Sequence, residues 1–305
     1  MTRVAAVDVG TNSVRLLVAD VDGPNGPLTT IDRRTRITRL GQGVDERRVL
    51  DGDAIARTLA VLEEYAQGIR DHGATRVRVT ATSASRDAAN RADFFDPAER
   101  LLGVRPELIS GEEEAVLEFT GATHGLAEPE PYLLIDVGGG STEFIAGVDK
   151  PDGLISIDIG CVRLTEQYLH GDPPAPEELS VAVSVVRDNL ADVDRAVPGA
   201  AHAKTMIGTA GTVWTMGAIE LGVDASESGR IHHSRLSRAA AEEIFRTLAT
   251  EPVEVRRHNP GLEPGRVDVI VGGIIVVVTA MRHWGFDELL VSEADILDGL
   301  VRSIA

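Results

Sequence analysis

The feature that most constrains this chain is a pattern that occurs twice. "AAVDVGTNSVRLLVAD" begins at Ala5, and "LLIDVGGGSTEFIAGV" begins at Leu133. In each copy an apolar run reaches one aspartate, passes through a glycine-containing turn with hydroxyl residues, and becomes apolar again. This pattern is typical of a strand, a tight turn and a second strand. A chain that contains it twice is expected to consist of two related halves.

The segments around the two hairpins indicate the fold class. β-rich runs alternate with amphipathic helical segments along the chain, and the range Asp51 to Asp71 shows clear helical spacing of its apolar residues. Such alternation favours an α/β fold. A chain of 305 residues is expected to form two domains. We place them at 1–122 and 123–292, and we expect a last helix at about 293–305 to pack back on the first domain.

The composition excludes several classes of function. Acidic residues outnumber basic ones 48 to 30, which argues against non-specific binding to nucleic acid or a membrane surface. A local basic site for an anionic small molecule remains compatible with this charge, because exposed charges more than about 8 Å apart are largely screened. The longest apolar run, which begins at Val269, is shorter than a membrane span. With Cys161 as its single cysteine and no signal-peptide pattern, the chain is expected to be cytoplasmic.

The two turns have the composition of a phosphate site. Glycine lets the backbone approach a ligand closely, and successive N–H groups in such turns bind anions. The alternative is two unrelated hairpins whose glycines serve only turn geometry. A third turn, "GTAGT", also follows an apolar strand and opens a helix. The predicted phosphate-binding residues are Thr11, Asn12, Ser13, Arg15, Gly138, Gly139, Gly140, Ser141, Thr142, Gly208, Thr209, Gly211 and Thr212.

The two hairpins differ in charge after their turns. Aligning Asp8 with Asp136 places Arg15 opposite Glu143. An arginine can donate two hydrogen bonds to phosphate oxygens. Two carboxylates are hard oxygen ligands that suit Mg²⁺ (or Mn²⁺) shared with a phosphate. The predicted metal ligands are therefore Asp136 and Glu143, with Asp8 as a third candidate. The alternative for Glu143 is a solvated position on an edge strand.

The segment "ISGEEEAVLEF" contains the candidate general base. Ser110 and Glu113 form a capping-box pattern, and carboxylates are favoured in the first turn of a helix. Glu114 lies one position beyond that motif and shares a helix face with Glu118, so it is a candidate base for activating water. The pattern alone does not choose among the three adjacent glutamates. Arg86 either reaches phosphate or is an exposed residue at a helix start.

Six motifs together carry a resemblance. They are "VDVGTNSVRLLVAD", "TATSASRDAAN", "ISGEEEA", "IDVGGGSTEF", "DIGCVRLTE" and "IGTAGT", in this order along nearly the whole chain. The chain resembles the exopolyphosphatase / guanosine pentaphosphate phosphohydrolase family, within the actin–hexokinase–Hsp70 superfamily. The resemblance implies two ribonuclease-H-like α/β domains flanking a cleft. It also implies Mg²⁺-dependent hydrolysis of a terminal phosphoanhydride of inorganic polyphosphate or of guanosine pentaphosphate (pppGpp), and a homodimer is expected.

The resemblance also assigns roles to single residues. Glu114, which directly precedes the alanine of its motif, would be the catalytic glutamate, and Arg86 would be the family's arginine. The metal-binding acids would be Asp136 and Glu143, and the first phosphate loop would span Asp8 to Arg15. The longer family members carry an additional C-terminal helical domain that this sequence does not contain, so a preference for short polyphosphate chains is expected. The competing hypotheses are a phosphotransferase and a sensor that binds guanosine tetra- or pentaphosphate with little turnover.

Overall fold

The computed structural model of the protein describes residues 1–305 apart from the side chains of Asp45 and Ser228. The strands are β1 (Thr2–Val9), β2 (Ser13–Val21), β3 (Leu28–Ile37), β4 (Arg76–Ala81), β5 (Glu107–Leu108), β6 (Tyr132–Val137), β7 (Thr142–Gly147), β8 (Pro151–Ile157), β9 (Thr205–Thr209), β10 (Arg235–Ser237) and β11 (Glu288–Val291). The α-helices are α1 (Val44–Arg47), α2 (Gly52–His72), α3 (Ser83–Asp87), α4 (Ala92–Leu102), α5 (Gly111–Thr123), α6 (Cys161–Tyr168), α7 (Pro176–Ala196), α8 (Ala210–Leu221), α9 (Ser228–Ile231), α10 (Arg238–Thr250), α11 (Val253–Arg256), α12 (Ile270–Trp284) and α13 (Ile296–Ser303). Two short 3₁₀ helices are Pro198–His202 and Pro264–Arg266.

The chain forms two compact units, each with its own sheet. Unit 1 comprises Met1–His124 and Asp295–Ala305, and unit 2 comprises Gly125–Ala294. The sheet of unit 1 has the order β3-β2-β1-β4-β5, and that of unit 2 has the order β10-β11-β9-β6-β7-β8. In both, three strands form an antiparallel meander and two later strands continue the sheet parallel to the first of them. In unit 2 the edge strand β10 pairs antiparallel with β11. The predicted α/β class with two ribonuclease-H-like halves is therefore confirmed.

In unit 1 the first strand is buried on both faces. Val7 belongs to the cluster that contains Tyr65 of α2, whereas Ala6 belongs to the cluster that contains Leu300 of α13. Successive residues of a strand point to opposite faces, so β1 needs apolar residues at consecutive positions. The buried Tyr65 hydroxyl donates to the Val14 carbonyl of β2 at 3.1 Å, which ties α2 to the hairpin. The hairpin that carries the first turn is thus held between two helical layers.

In unit 2 the long apolar run is the buried helix α12. Twelve of its residues, from Ile270 to Met281, are buried. A Cβ on Gly272 would lie 2.6 Å from the Thr165 hydroxyl, and a Cβ on Gly273 would lie 2.4 Å from the Thr212 hydroxyl. These glycines therefore let α12 approach α6 and α8 closely. Within the described part of the chain, no helix has the length and apolarity needed to cross a membrane.

Short elements differ from the sequence expectation. The residues between β4 and β5 form two separate helices, α3 and α4. β5 has only two paired residues, and β10, with three residues, was not predicted. Strands of two or three residues are too short to show an alternating pattern, and their position at a sheet edge depends on pairing with distant residues.

Candidate active site

The two glycine hairpins have the same register. Asp8 lies opposite Arg15 in the β1–β2 pair, and Asp136 lies opposite Glu143 in the β6–β7 pair. Residues directly opposite each other on antiparallel strands share one face of the sheet. The structure therefore brings each aspartate together with the residue that the sequence alignment placed after its turn, and the predicted duplication is confirmed.

The two turns also close in the same way. The Gly10 N–H donates to the Ser13 carbonyl at 2.9 Å, and the Gly138 N–H donates to the Ser141 carbonyl at 3.1 Å. A Cβ on Gly10 or Gly138 would lie 3.2 or 3.0 Å from the same carbonyl oxygen, which is tighter than ordinary contact. Each glycine thus leaves room for the close return of the chain, where a side chain would have to displace the carbonyl by a few tenths of an ångström.

In unit 1 the predicted residues gather at one edge of the sheet. The Thr82 N–H donates to the Val9 carbonyl at the end of β1, and the Ile109 N–H donates to the Ala81 carbonyl at the end of β4. The helix that contains Glu114 begins two residues after Ile109. The carboxyl ends of parallel strands are where open α/β sheets bind ligands. The first turn and the predicted base therefore lie at the edge expected of a binding site.

Glu114 is held by the predicted arginine. The Arg86 Nη1 donates to Glu114 Oε2 at 3.0 Å and also to the Ile109 carbonyl at 3.0 Å. The side chain of Glu114 is 12% exposed and that of Arg86 is 24% exposed. Arg86 is therefore a half-buried residue of α3 rather than an exposed residue at a helix start. A carboxylate fixed by one arginine and largely shielded from solvent is well oriented to accept a proton from water.

The neighbouring glutamates have other partners. The Ser110 hydroxyl accepts from the Glu113 N–H at 3.1 Å, as the capping pattern predicted, and the Glu113 carboxylate accepts from Arg78 at 2.8 Å. Glu118 is fully buried and accepts from the Ile296 N–H at 2.6 Å, at the start of α13. Glu118 thus stabilises the attachment of α13, although it shares a helix face with the predicted base.

The first hairpin contains a buried ion-pair network. Arg15 donates to Asp8 Oδ2 from Nε at 3.1 Å and from Nη2 at 2.9 Å, and its Nη1 donates to Asp295 Oδ2 at 2.5 Å. Arg33 in turn donates to both Asp295 and Asp298. Arg15, predicted to contact phosphate, is therefore engaged by two carboxylates of its own unit. Sequence reasoning missed Asp295 and Arg33 because nothing in their local pattern signals a partner so far along the chain.

The same network shifts the pKa values of its acids. Burial raises the pKa of Asp8 above its ordinary value, although Arg15 opposes this. Burial also raises the pKa of Asp298 to about 6. The pKa of Asp295 is lowered, because Arg15 and Arg33 together outweigh its burial. An aspartate whose oxygen already accepts two bonds from an arginine is a poor metal ligand, so the geometry disfavours the metal role predicted for Asp8.

The side chain of Asn12 lies in the first turn with its polar atoms buried. Asn12 is 4% exposed, and neither its amide oxygen nor its amide nitrogen has a hydrogen-bond partner among the described residues. Buried polar groups nearly always have a partner, so such a side chain calls for water or a ligand. The adjacent Thr11 is buried and Ser13 is half-buried. The first turn therefore has donors for an anion, with Asn12 as its clearest candidate.

The second hairpin presents two buried carboxylates side by side. Asp136 is 5% exposed and Glu143 is 1% exposed. Ser156 of β8 donates to Glu143 Oε1 at 2.6 Å, which orients that carboxylate and was not foreseen from the sequence. Two adjacent buried carboxylates repel each other unless a cation lies near them.

This pair fits the chemistry of Mg²⁺. No group of three or more His, Cys, Asp or Glu side chains in the described residues is arranged to hold a metal ion alone. Mg²⁺ does not require such a group, because it usually binds one or two carboxylates and takes its other ligands from water and substrate phosphates. Asp136 and Glu143 therefore supply a suitable partial set of ligands.

Several predicted phosphate-binding hydroxyls are used inside the protein. The Thr142 hydroxyl donates to the Ile159 carbonyl at 2.5 Å, and the Thr209 hydroxyl donates to a backbone carbonyl of β6 at 3.5 Å. Thr212 hydrogen-bonds the Cys161 thiol, whose pKa is raised by burial. All three threonines are buried. Their side chains hydrogen-bond within the protein and support the turns. These threonines could therefore contact phosphate only through their backbone N–H groups.

The third turn is shaped by close contacts. Ala210, the first residue of α8, has φ 62°, a left-handed conformation that is uncommon for alanine and is often found near functional sites. A Cβ on Gly208 would meet neighbouring side chains at 2.8 Å, and one on Gly211 would lie 2.0 Å from the Arg266 guanidinium. Arg266, which donates to Glu263 at 2.6 Å, therefore lies directly on this turn. Its position was not predictable from sequence spacing.

Comparison with known proteins identifies the family. The sequence profile of the Ppx/GppA phosphatase family matches residues 17–305. The protein named exopolyphosphatase 2 of Mycobacterium tuberculosis is 44% identical over 100% of this chain and 99% of its own length. A crystal structure of the Aquifex aeolicus member of the Ppx/GppA family has a TM-score of 0.83 at 32% identity, covering 99% of this chain and 97% of that one.

A further crystal structure supports the fold. An exopolyphosphatase from Cytophaga hutchinsonii has a TM-score of 0.90 over 99% of this chain and 97% of its own, at 23% identity. The duplicated hairpins, the ribonuclease-H-like topology of both units and the full-length likeness to these relatives agree with one another. The chain belongs to the Ppx/GppA phosphatase family.

Proposed function

We propose that the protein is an exopolyphosphatase, which hydrolyses the terminal phosphoanhydride bond of inorganic polyphosphate and releases orthophosphate. The observation that carries this proposal is the shielded Glu114 carboxylate held by Arg86 at the edge of the sheet. The likeness to exopolyphosphatase 2 of Mycobacterium tuberculosis over the full chain supports polyphosphate as the substrate in preference to guanosine pentaphosphate.

In the proposed reaction, water attacks the terminal phosphorus. The Glu114 carboxylate accepts a proton from this water as its oxygen bonds to phosphorus, and the bond from phosphorus to the bridging oxygen breaks. The shortened polyphosphate leaves with that oxygen. Arg86 fixes the orientation of Glu114 through its hydrogen bond. Without this restraint the base would have to be ordered at each turnover.

The remaining groups stabilise the charge of the phosphoryl group. Backbone N–H groups of the turns and the Asn12 amide are pre-positioned donors, and such groups usually make the largest contribution to phosphoryl transfer. A bound Mg²⁺ would neutralise phosphate charge and polarise the phosphoryl oxygens. Asp136 and Glu143 would hold it, with Ser156 orienting Glu143. These two acids have no other catalytic task in the proposal.

The first test replaces the base. We expect Glu114→Gln to lower kcat for orthophosphate release by about 10²–10⁴-fold, because the amide cannot take the proton. Polyphosphate binding, measured by equilibrium dialysis, should remain. Glu112→Gln is the matched control, since Glu112 is an exposed residue in the same helical turn. Hydrolysis by the Glu114 variant at the wild-type rate would exclude this base.

The second test compares substrates. The wild-type protein is incubated with Mg²⁺ and, in parallel, with short polyphosphate, long polyphosphate and guanosine pentaphosphate, and orthophosphate release is measured. We expect the polyphosphates to give the higher kcat/KM. A clear preference for guanosine pentaphosphate would replace the proposal with a nucleotide phosphohydrolase, and tight nucleotide binding without turnover would replace it with a sensor.

A further inference from the structure

The segment that follows β3 is attached to the first turn. We call Thr38–Gly41 the first brace. Two of its N–H groups donate to the Asn12 carbonyl at 3.0 and 2.9 Å, and the Gly41 N–H donates to the Thr11 carbonyl at 2.8 Å. Three backbone donors thus hold two carbonyls of the turn.

The segment that follows β8 makes similar contacts in unit 2, where the Gly139 carbonyl is the counterpart of the Thr11 carbonyl and the Gly138 carbonyl aligns with Gly10. We call Cys161–Arg163, the first residues of α6, the second brace. Its first N–H donates to the Gly138 carbonyl at 2.9 Å, and the next two donate to the Gly139 carbonyl at 2.9 and 3.2 Å. Again three backbone donors hold two carbonyls. The braces share no secondary structure, since one is a loop and the other a helix start, yet both follow the third strand of the meander.

This arrangement fixes the direction of two N–H groups in each turn, and one of the two lies at an equivalent position in both turns. In a trans peptide the carbonyl and the following N–H point in opposite directions. Because the Thr11 carbonyl faces the first brace, the Asn12 N–H points away from it. The Gly139 carbonyl faces the second brace, so the Gly140 N–H points away from that one. Asn12 and Gly140 are equivalent positions when the two hairpins are aligned.

Each brace depends on one glycine for space. A Cβ on Gly41 would lie 2.3 Å from the Thr11 Cγ2 and 2.9 Å from the Ala84 Cβ. A Cβ on Gly160, which immediately precedes the second brace, would lie 2.4 Å from the Gly139 carbonyl carbon. Gly160 has φ −138°, and Gly41 is not among the glycines with positive φ, so backbone conformation does not explain either glycine. Close approach to the turn does.

We infer that Gly41 and Gly160 are equivalent positioning residues: each lets the brace of its own unit aim one N–H group of its turn, that of Asn12 or that of Gly140, at bound phosphate. This inference rests on the proposed phosphate hydrolysis. Donors that are fixed before the reaction stabilise the transition state without needing to reorganise. Moving a brace should therefore affect the chemical step more than substrate binding.

The test uses Gly41→Ala and Gly160→Ala with matched controls. Gly52→Ala and Gly229→Ala add the same methyl group in units 1 and 2, where no atom lies within 4 Å. For each purified protein, kcat and KM for orthophosphate release are measured together with the unfolding temperature. We expect both brace variants to lose about 10²–10³-fold in kcat, the loss typical of one misplaced oxyanion donor, with KM changed less than about threefold. The controls should match wild type.

A second-site variant separates positioning from general damage. Thr11→Ser removes the Cγ2 that a new Cβ at position 41 would meet. We expect Gly41→Ala to lower kcat at least tenfold less in the Thr11→Ser background than in wild type, since the main obstruction is gone. An equal loss in both backgrounds would contradict the role assigned to this contact.

The outcomes distinguish this inference from the proposed function. A wild-type protein that releases no orthophosphate overturns the function itself. An active wild type whose brace variants are folded and retain kcat overturns the positioning role alone. Where Gly160→Ala does not fold, Gly41→Ala decides the outcome, alone and in the Thr11→Ser background. A lower kcat that Thr11→Ser partly restores supports the inference, and an unchanged kcat contradicts it.

Discussion

The two hairpins have one backbone geometry and opposite electrostatics. In unit 1 the residue facing the aspartate is Arg15, and the pair is tied into a network of buried charges. In unit 2 the residue facing the aspartate is Glu143, so two carboxylates lie together. A duplicated fold can thus assign stability to one copy and ligand chemistry to the other. In the proposed function the first hairpin would offer phosphate its backbone and Asn12, and the second would offer its carboxylates to a metal.

The largest expected effect separates the acids of the two hairpins. Glu143→Gln should lower kcat at fixed Mg²⁺ by about 10²-fold or more, because metal stabilisation of the transition state contributes several kcal/mol. Asp8→Asn should have a much smaller effect, since Asp8 is engaged by Arg15. Steady-state orthophosphate release checks both variants. Equal losses would show that the two hairpins do not differ in this way.

The second effect is on the free energy of unfolding, which should fall more for a change in the first hairpin than for one in the second. Arg15→Gln leaves the buried Asp8 without its arginine, which should lower the free energy of unfolding by about 3–5 kcal/mol. Glu143→Gln should lower the free energy of unfolding much less, because the amide oxygen still accepts from Ser156 and the repulsion between the two carboxylates is relieved. Urea unfolding of both variants measures this, with the exposed Arg36→Gln as the control. A stable Arg15 variant would contradict the structural role of the network.

A smaller effect is expected at the residue that orients the metal ligand. Ser156→Ala removes the hydroxyl that donates to Glu143. Partners of this kind typically change metal affinity by about 10–100-fold. The Mg²⁺ concentration that gives half-maximal activity should therefore rise at least tenfold, whereas Ser184→Ala, an exposed change on α7, should leave it unaltered. An unchanged Mg²⁺ requirement would remove Ser156 from the site.

The smallest effect is a change in the pH dependence of stability. Burial raises the pKa of Asp298 from 3.8 to about 6. The unfolded chain therefore loses this proton first as pH rises, and the stability that the group contributes falls between about pH 4 and pH 6. Asp298→Asn removes that titration, so the stability of the variant relative to wild type should rise as the pH increases across this window. Urea unfolding at several pH values tests the sign, and a constant difference would contradict it.

Much of the fold and of the candidate site could be predicted from the sequence, because the patterns that indicate them are local. The repeated hairpins, the turn after β9 and the helix start at Ser110 depend on residues close together in the chain, so their patterns were sufficient. The pairing of Arg15 with Asp295, the residue just before α13, was not predictable, since ion pairs depend on the packing of distant elements. The buried roles of Thr142 and Thr209 were missed for a related reason. A hydroxyl beside a turn looks the same in sequence whether it faces a ligand or a carbonyl.

Direct metal binding tests the central contrast most closely. Mn²⁺ binding to the free protein is measured by electron paramagnetic resonance for wild type, Asp136→Asn, Glu143→Gln and Asp8→Asn. Each change in the second hairpin is expected to weaken Mn²⁺ binding at least tenfold, whereas Asp8→Asn should retain the wild-type affinity. Loss of binding in the Asp8 variant, or wild-type binding in the Glu143 variant, would contradict this contrast.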